Sequence, residues 1–319
     1  MVAPLGGKGV PHRPVLLRET IELLAPEGGG LFIDCTVGLG GHSEAILDAG
    51  DTRVIGIDRD GQALKLAKST LARFGSRFRA VHADFRDIAQ VLAKARARKV
   101  SGILVDLGVS SFQLESPSRG FSFRHEGPLD MRMDAEGNEE TAASLLARLA
   151  EAEIARIIFE YGGERRSRRI ARMIIEKRER GEPVNTTTEL ADLVVKAMAR
   201  RRTGGIHAAT RTFQALRIAV NRELEGLDGF VIEAVDLLQT DGRFAAISFH
   251  SLEDRIIKRA LRRLSGRCEC PPGIPKCICG ARRAVEILTR RPVSPSRREL
   301  AENPRARSAK LRACRKLAT

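Results

Sequence analysis

The residues whose types and spacing could do chemistry begin with one stretch, Asp34-Cys-Thr-Val-Gly-Leu-Gly-Gly-His42, followed at intervals by Asp58, Asp84 and Asp106. A turn that ends a strand and opens a helix presents unpaired backbone N–H groups. Gly38, Gly40 and Gly41 would let a ligand approach that backbone closely. Such a turn alone also serves tight strand-to-helix packing, so spacing has to decide. Asp58 stands 18 residues beyond Gly40, where a carboxylate can accept both hydroxyls of an adenosine ribose. Asp84-Phe85 adds an acceptor and an apolar ring at the height of an adenine. Two ligand classes compete at this point, a dinucleotide and S-adenosylmethionine. Ser43 occupies the place of the third glycine of G-x-G-x-x-G, and a sulfonium cofactor without a pyrophosphate needs that glycine less. Its positive charge also tolerates carboxylates that would repel a dinucleotide.

The elements that must hold these residues follow from apolar periodicity. Strands are expected at Leu31–Asp34, Arg53–Asp58, Phe78–Asp84 and Gly102–Asp106, with helices at residues 14–25, 43–49, 62–74 and 89–98 between them. The run Gly102-Ile-Leu-Val-Asp106 is too continuously apolar for a sheet wet on one side, so the sheet is parallel and covered on both faces. The four acids then share its carboxyl edge, where open α/β folds bind ligands. After Asp106 the rhythm breaks. Residues 112–140 are rich in Gly, Ser, Pro and charge, and three helices follow without a strand, over Leu145–Tyr161, Glu164–Arg180 and from a capping box at Thr186 and Glu189 to Gly204-Gly205. Helices over Ala208–Leu224 and Phe230–Gln239, a strand over Arg243–Phe249, a helix capped by Ser251 and Asp254, and strands at Val285–Thr289 and Lys310–Arg315 complete the chain. The expected architecture is a Rossmann-like, class I methyltransferase type of α/β fold, mostly parallel, with residues 1–112 and 209–319 forming the cofactor domain and 113–208 an inserted all-helical domain.

Length and composition fit a folded chain: 319 residues, 43% hydrophobic and 30% charged. The formal charge of +15, dominated by arginine, favours a polyanionic partner, because guanidinium forks match phosphate bidentately. Basic clusters stand at Arg165–Arg172, at Arg200–Arg202 and from Arg282 to Lys316. With no Trp and one Tyr, Tyr161, extensive base-stacking platforms are not expected. No signal-peptide-like run opens the chain and no stretch is long enough to span a bilayer, so a cytoplasmic protein with no membrane partner is expected, its six cysteines reduced. Cys268-Glu-Cys270 and Cys277-Ile-Cys279 bracket a Pro-rich loop, and four thiolates that close could hold a tetrahedral zinc. C-x-C pairs are not the common zinc spacing and the expected chemistry needs no metal, so none is assigned. Cys35 and Cys314 are expected to be small apolar fillers.

Gly40-Gly-His42, Ile57-Asp-Arg-Asp60, Asp106-Leu-Gly-Val-Ser-Ser111, Arg119-Gly-Phe-Ser-Phe123, Asp130-Met-Arg-Met-Asp134, Ser248-Phe-His-Ser-Leu-Glu-Asp-Arg255 and Glu302-Asn-Pro-Arg-Ala-Arg-Ser308 together resemble the ribosomal RNA small subunit methyltransferase H family, in family order and over nearly the whole chain. The resemblance implies methylation, with S-adenosyl-L-methionine, of the N4 amino group of a cytosine in 16S rRNA at the decoding centre. It further implies the small subunit or its late precursor as substrate, and a homodimer. Its cofactor contacts fall on Gly40, Gly41, His42, Asp58, Phe85, Asp106 and Gln113. Two residues depart from the family pattern, Cys35 for a small residue and Phe112 for a proline, and the second bears on the loop at Gln113.

The chemistry asks for little machinery. Displacement at a sulfonium methyl requires the amine nitrogen to be held in line at near-attack distance. The N4 lone pair of cytosine is delocalised, so an acceptor on an N4–H favours the nucleophilic geometry and can take the released proton. Asp106 is the expected acceptor; alternatively it contacts the cofactor alone and a backbone carbonyl serves. His250 could face the base or be structural, and Phe121 and Phe123 could clamp an extruded base or pack in a core. Two rival functions remain: a nicotinamide dehydrogenase, and an RNA-binding protein without catalysis.

Overall fold

The computed structural model describes residues 14–137, 140–198, 207–268, 270, 273, 275 and 278–318. The N-terminal residues before Pro14, Arg200–Arg202, Gly204-Gly205 and Cys277 therefore lie outside the described residues. In chain order the elements are α1 (Leu17–Leu24), β1 (Gly30–Asp34), α2 (Gly41–Asp48), β2 (Thr52–Asp58), α3 (Gly61–Thr70), β3 (Phe78–His82), α4 (Ile88–Lys94), β4 (Val100–Asp106), α5 (Ser111–Glu115), α6 (Ala142–Arg148), α7 (Glu151–Gly162), α8 (Ser167–Glu179), α9 (Thr187–Ala197), α10 (Thr210–Asn221), α11 (Leu227–Leu237), β5 (Leu238–Ser248), α12 (Ser251–Leu264), β6 (Val285–Ile287), α13 (Arg297–Glu302) and β7 (Lys310–Lys316). They separate into two compact units: the chain up to Gly108 together with the chain from Gly226 onward, and Val109–Glu225 between them.

The first unit is built on a seven-stranded sheet of order β3-β2-β1-β4-β5-β7-β6. The first five of these strands run parallel, and β7 runs antiparallel to both β5 and β6. Strand order reverses between β1 and β4, which places a crevice at their carboxyl ends. Successive residues point to opposite faces. Ile33, Ile55, Ile103 and Phe244 join Ile88, Val231 and Ile257 of α4, α11 and α12 in one core. Phe32, Val54, Leu104 and Ile247 join Leu24, Ile46 and Phe74 in another. Because both faces are covered, the strands can be apolar throughout, which is why the parallel sheet was legible.

The second unit is helical and has its own core, with Leu146, Ile154, Ile158, Ile170, Leu190 and Leu216 buried together. Its bounds differ from the expected 113–208. Helix α10, assigned from the sequence to the sheet domain, sets Phe213 and Leu216 into the helical core. An amphipathic stripe announces that a helix buries one face, but not which core receives it. The expected single helix over Leu145–Tyr161 is also two helices. Leu149 and Ala150 adopt extended backbone between α6 and α7. The break is held from a distance: Arg178 of α8 donates to the carbonyls of Leu146, Ala147 and Leu149, at 3.2, 2.8 and 2.8 Å, which satisfies the end of α6. Glu153 accepts the Ala150 N–H at 3.2 Å.

The segment 112–140, featureless in periodicity, is ordered by polar side chains. Buried Arg119 donates to the carbonyls of Arg132 and Met133. Buried Asn221 accepts from Met133 N–H at 2.7 Å and donates to the Met131 carbonyl at 2.8 Å, holding Met131 in the left-handed region at φ 63°.

One position limits how the sheet packs. A Cβ on Gly102 would stand 2.4 Å from the ring of Phe32, itself 2% exposed. Gly102→Ala should overpack this face and lower unfolding free energy by about 1–3 kcal/mol, measured by denaturant titration.

Candidate active site

The carboxyl edge of the sheet carries the acids in different electrostatic states. Asp34 ends β1, is 1% exposed, and sits at the centre of the turn. Its Oδ2 accepts from the Ser43 hydroxyl at 2.7 Å and its Oδ1 from the Thr36 N–H at 3.2 Å. Thr36 in turn accepts the Asp106 N–H on its hydroxyl at 2.6 Å. Ser43, noted from the sequence only as a missing glycine, thus fastens the start of α2 to the end of β1. Burial pushes the Asp34 carboxyl up to about 6, against the two hydrogen bonds that favour its charge.

Asp58 ends β2 and is tied to the glycine turn: its Oδ2 accepts the Gly38 N–H at 2.8 Å and its Oδ1 the Asp60 N–H at 2.9 Å. Burial raises its carboxyl and those N–H groups pull it back. The turn and the acid read as its partner are therefore brought together. Gly38 and Gly40 have φ of 52° and 93°, and a Cβ at Gly38 would meet only a carbonyl at 3.9 Å, so the backbone there is open to a ligand. Gly40 caps α2 and Gly41 begins it.

Asp106 ends β4, and its side chain is 22% exposed. Its Oδ2 lies 3.7 Å from His42 Nδ1. Its Oδ1 is enclosed and takes no hydrogen bond among the described residues. Burial, then the charges of Asp34 and Glu253, push this carboxyl well above its ordinary value. His42 is buried, with Nε2 3.1 Å from the Val15 carbonyl oxygen.

The third strand's acid is different in kind. Asp84 follows β3 and is gripped by Arg86 through two contacts of 2.7 and 2.6 Å, with Arg59 at 3.2 Å. Burial would raise its carboxyl, but these arginines outweigh it and hold it below the ordinary range. Phe85 is 8% exposed and meets Phe230 edge-on at 4.7 Å in the sheet core, which leaves little of its ring for a ligand. Gln113 lies in the helical unit. There its Oε1 accepts the Ser110 N–H at 3.0 Å and its own N–H donates to Ser110 Oγ at 3.2 Å, the capping box that starts α5.

Other readings are corrected by one residue or one partner. The cap of α12 is His250, not Ser251. Its Nδ1 accepts the Glu253 N–H at 3.4 Å, while Glu253 accepts the N–H groups of Phe249 and His250. Asp254 instead pairs with Arg312 at 2.6 Å and Lys310 at 3.4 Å. Phe121 and Phe123 pack in the helical unit, the second stacked on His207 at 4.5 Å and edge-on to Phe213 at 4.9 Å. Cys35 and Cys314 are buried in the sheet core as fillers.

The basic clusters divide by role. Arg166 donates to the Ala197 carbonyl at 3.3 Å, at the end of α9, and Arg178 caps α6, so both are structural. Arg165, Arg168 and Arg169 make no ion pair among the described residues. In the C-terminal cluster, Arg282 and Lys316 share Asp236, Arg312 pairs with Asp254, and Arg315 pairs with Glu286. Within the helical unit a groove of about 680 Å³ is lined by Ala155, Arg156, Phe159, Arg165 and Arg168, and Phe159 is 57% exposed.

The family described as MraW methylase matches residues 9–317. The chain belongs to that family. Proteins called "Ribosomal RNA small subunit methyltransferase H" share 47% identity over 306 residues (Carboxydothermus hydrogenoformans; 96% of this chain, 98% of that one) and 52% over 307 residues (Anaeromyxobacter sp. strain Fw109-5; 96% and 98%). The counterpart of that name from Geobacter sulfurreducens is 50% identical over 309 residues, covering 96% of this chain and 99% of its own. For an MraW methylase the acceptor-rich edge, with one enclosed carboxylate oxygen that has no donor among the described residues, suits a cationic cofactor better than a pyrophosphate. No helix among the described residues is long and apolar enough to cross a membrane.

The raised Asp34 carboxyl makes stability depend on pH. Below its ordinary 3.8 the protonated group contributes fully, and that contribution is lost as pH rises through about 6. A displacement of this size corresponds to about 2–3 kcal/mol. Asp34→Asn, whose amide can donate to a Ser43 hydroxyl turned round to accept, should flatten the fall in unfolding free energy between about pH 4 and 6, read from denaturant midpoints across pH.

Proposed function

We propose that this methylase transfers a methyl group from S-adenosyl-L-methionine to the N4 amino group of a cytosine in 16S rRNA, at the decoding centre of the small subunit or its late precursor. The observation that carries the reading is the enclosed Asp106 Oδ1, without a donor among the described residues, beside the open glycine turn, in a chain related over 96% of its length to proteins named for small-subunit rRNA methylation. Gly38, Gly40 and Gly41 would face the cofactor's backbone-proximal part, and Asp58 keeps acceptor capacity for the ribose because each carboxylate oxygen has a second lone pair. The bound cofactor supplies an electrophilic methyl group and a positive charge.

What the protein contributes is position and a proton acceptor. The Asp106 carboxylate accepts an N4–H, which draws the amine toward its nucleophilic geometry, and the proton leaving N4 passes to it and on to solvent. A carboxyl raised by burial and by its acidic neighbours is a better base than an exposed one, so the same environment that costs stability suits this task. A nicotinamide dehydrogenase fits less well, because Ser43, bonded to Asp34, stands at the third glycine of G-x-G-x-x-G, where a dinucleotide fold packs its helix closely on the strand.

RNA contact is assigned to the groove of the helical unit. Phe159 offers a face on which an unpaired base can stack, and Arg165 and Arg168 offer guanidinium groups for phosphates. The compartment is the cytoplasm and the working form a homodimer, the latter checked by sedimentation.

With unmodified small subunits and labelled S-adenosylmethionine, the wild-type chain should yield N4-methylcytidine on nucleoside analysis; its absence would sink the reading. Asp106→Asn keeps the shape but loses the base, and should lower kcat by about 10²–10⁴-fold, the usual worth of a positioned acid or base. In the same subunits Phe159→Ala should weaken RNA binding by about 1–3 kcal/mol with an unchanged salt dependence. Arg168→Ala should flatten that dependence by about one unit, as measured by filter binding against salt.

A further inference from the structure

The loop between α12 and β6 is rich in Cys, Pro and Arg and poor in large apolar residues. Ile278, one of its few large hydrophobics, is 77% exposed. Its neck is closed by backbone bonds from Arg282 to the Arg263 carbonyl at 3.0 Å and from Ala284 to the Leu264 carbonyl at 2.8 Å. Beyond that neck, the side chains that meet are sulfurs. The Sγ atoms of Cys268, Cys270 and Cys279 all lie within 4.8 Å of one another, and those of Cys279 and Cys268 are 3.7 Å apart. A disulfide would bring two of them to about 2.05 Å. Ligands placed tetrahedrally about 2.3 Å from zinc stand about 3.8 Å apart, close to the 3.7 Å of the Cys268–Cys279 pair.

The surroundings also suit thiolates. The Cys270 N–H donates to Cys268 Sγ at 3.4 Å, and the Ile278 N–H to Cys270 Sγ at 3.3 Å, outer bonds of the kind that orient thiolate ligands. Gly280, just after Cys279, takes φ 69° and turns the chain away from the cluster. We propose that Cys268, Cys270 and Cys279 form a structural zinc site that staples the loop joining α12 to β6. Soft thiolates select zinc over hard oxygen-seeking cations, and no redox step is needed. Each thiol that ligates releases its proton to solvent, so affinity rises with pH. Three thiolates leave the fourth position of the tetrahedron to another group. The proposal departs from the sequence reading, which assigned no metal, on the distances between sulfurs rather than on their spacing in sequence.

The full-length chain, stripped by chelation, is titrated with zinc alone against a chromophoric competitor and with cobalt(II) alone. One zinc per chain, the absorption bands of tetrahedral thiolate-bound cobalt, and protection of all three cysteines from alkylation, mapped by mass spectrometry, are expected. Cys268→Ser and Cys279→Ser should weaken zinc binding by more than the roughly 10–100-fold that loss of an outer-shell partner costs, while Ile278→Ser leaves it unchanged. Three thiols alkylating at the metal-free rate in the presence of zinc would overturn the proposal, as would a Cys268–Cys279 disulfide in freshly reduced and purified protein. The alkylation experiment uses the unaltered chain, so the outcome does not depend on whether a variant folds.

Discussion

Everything at the sheet edge depends on one buried carboxylate. Asp34 holds Ser43 on one oxygen and the Thr36 N–H on the other, and Thr36 reaches across to the backbone of Asp106. Three hydrogen bonds therefore join the ends of two adjacent strands to the first turn of α2. A buried charge is tolerated only when it is well bonded, and here the bonding is incomplete enough that burial still raises the carboxyl to about 6. The fold accepts an unfavourable charge in return for a turn whose backbone conformation is fixed. Asp58 repeats the device on the other side of the turn by accepting the Gly38 N–H, so the open backbone between them is braced from both neighbouring strands.

Much of this architecture was legible because its physical signals are local. The parallel strands bury both faces and read as continuous apolar runs, and the glycine turn, Asp58 and Asp106 are fixed by their positions at strand ends. The Thr186 and Glu189 capping box was readable for the same reason, since both partners lie within one turn. What was not legible came from partners distant in sequence. The split between α6 and α7 needs Arg178, some thirty residues onward, to satisfy the orphaned carbonyls. Asp84 looked like a ligand acceptor until Arg59 and Arg86 were seen to occupy it. The cap of α12 was misread by one residue because both Ser251 and His250 can accept from the third helical N–H, and only the backbone decides which stands outside the helix.

The surplus of positive charge shows the same limit. A formal +15 describes the whole chain, whereas binding a polyanion depends on which guanidinium groups are unoccupied. In the C-terminal cluster most of the strand-borne cations are matched by carboxylates within the same unit, and their contribution is to fix β7 against β5, β6 and α12. In the cluster at the start of α8, by contrast, adjacent residues serve different ends. Arg166 turns inward to the end of α9, while Arg165 and Arg168 line the groove beside an exposed phenylalanine. Arg166 is the N-cap of α8 and Arg165 precedes it, whereas Arg168 lies in the first turn, so the three are presented from different backbone conformations.

The contrast between the acids gives the edge its chemical direction. At Asp84 the protein supplies its own cations, which settles the charge and leaves nothing for a ligand to add. At Asp106 it supplies the opposite, further negative charge from Asp34 and Glu253 and no donor for Oδ1 among the described residues. A group so placed is poorly solvated and incompletely bonded in the ligand-free state, and it gains most from a partner that brings a positive charge or an N–H. A pyrophosphate brings neither, whereas a sulfonium cofactor brings the first and an exocyclic amine the second. A positive charge or an N–H brought close to Asp106 would relieve that lack of a partner, and the glycine turn, common to both adenosine-containing candidates, does not discriminate between them.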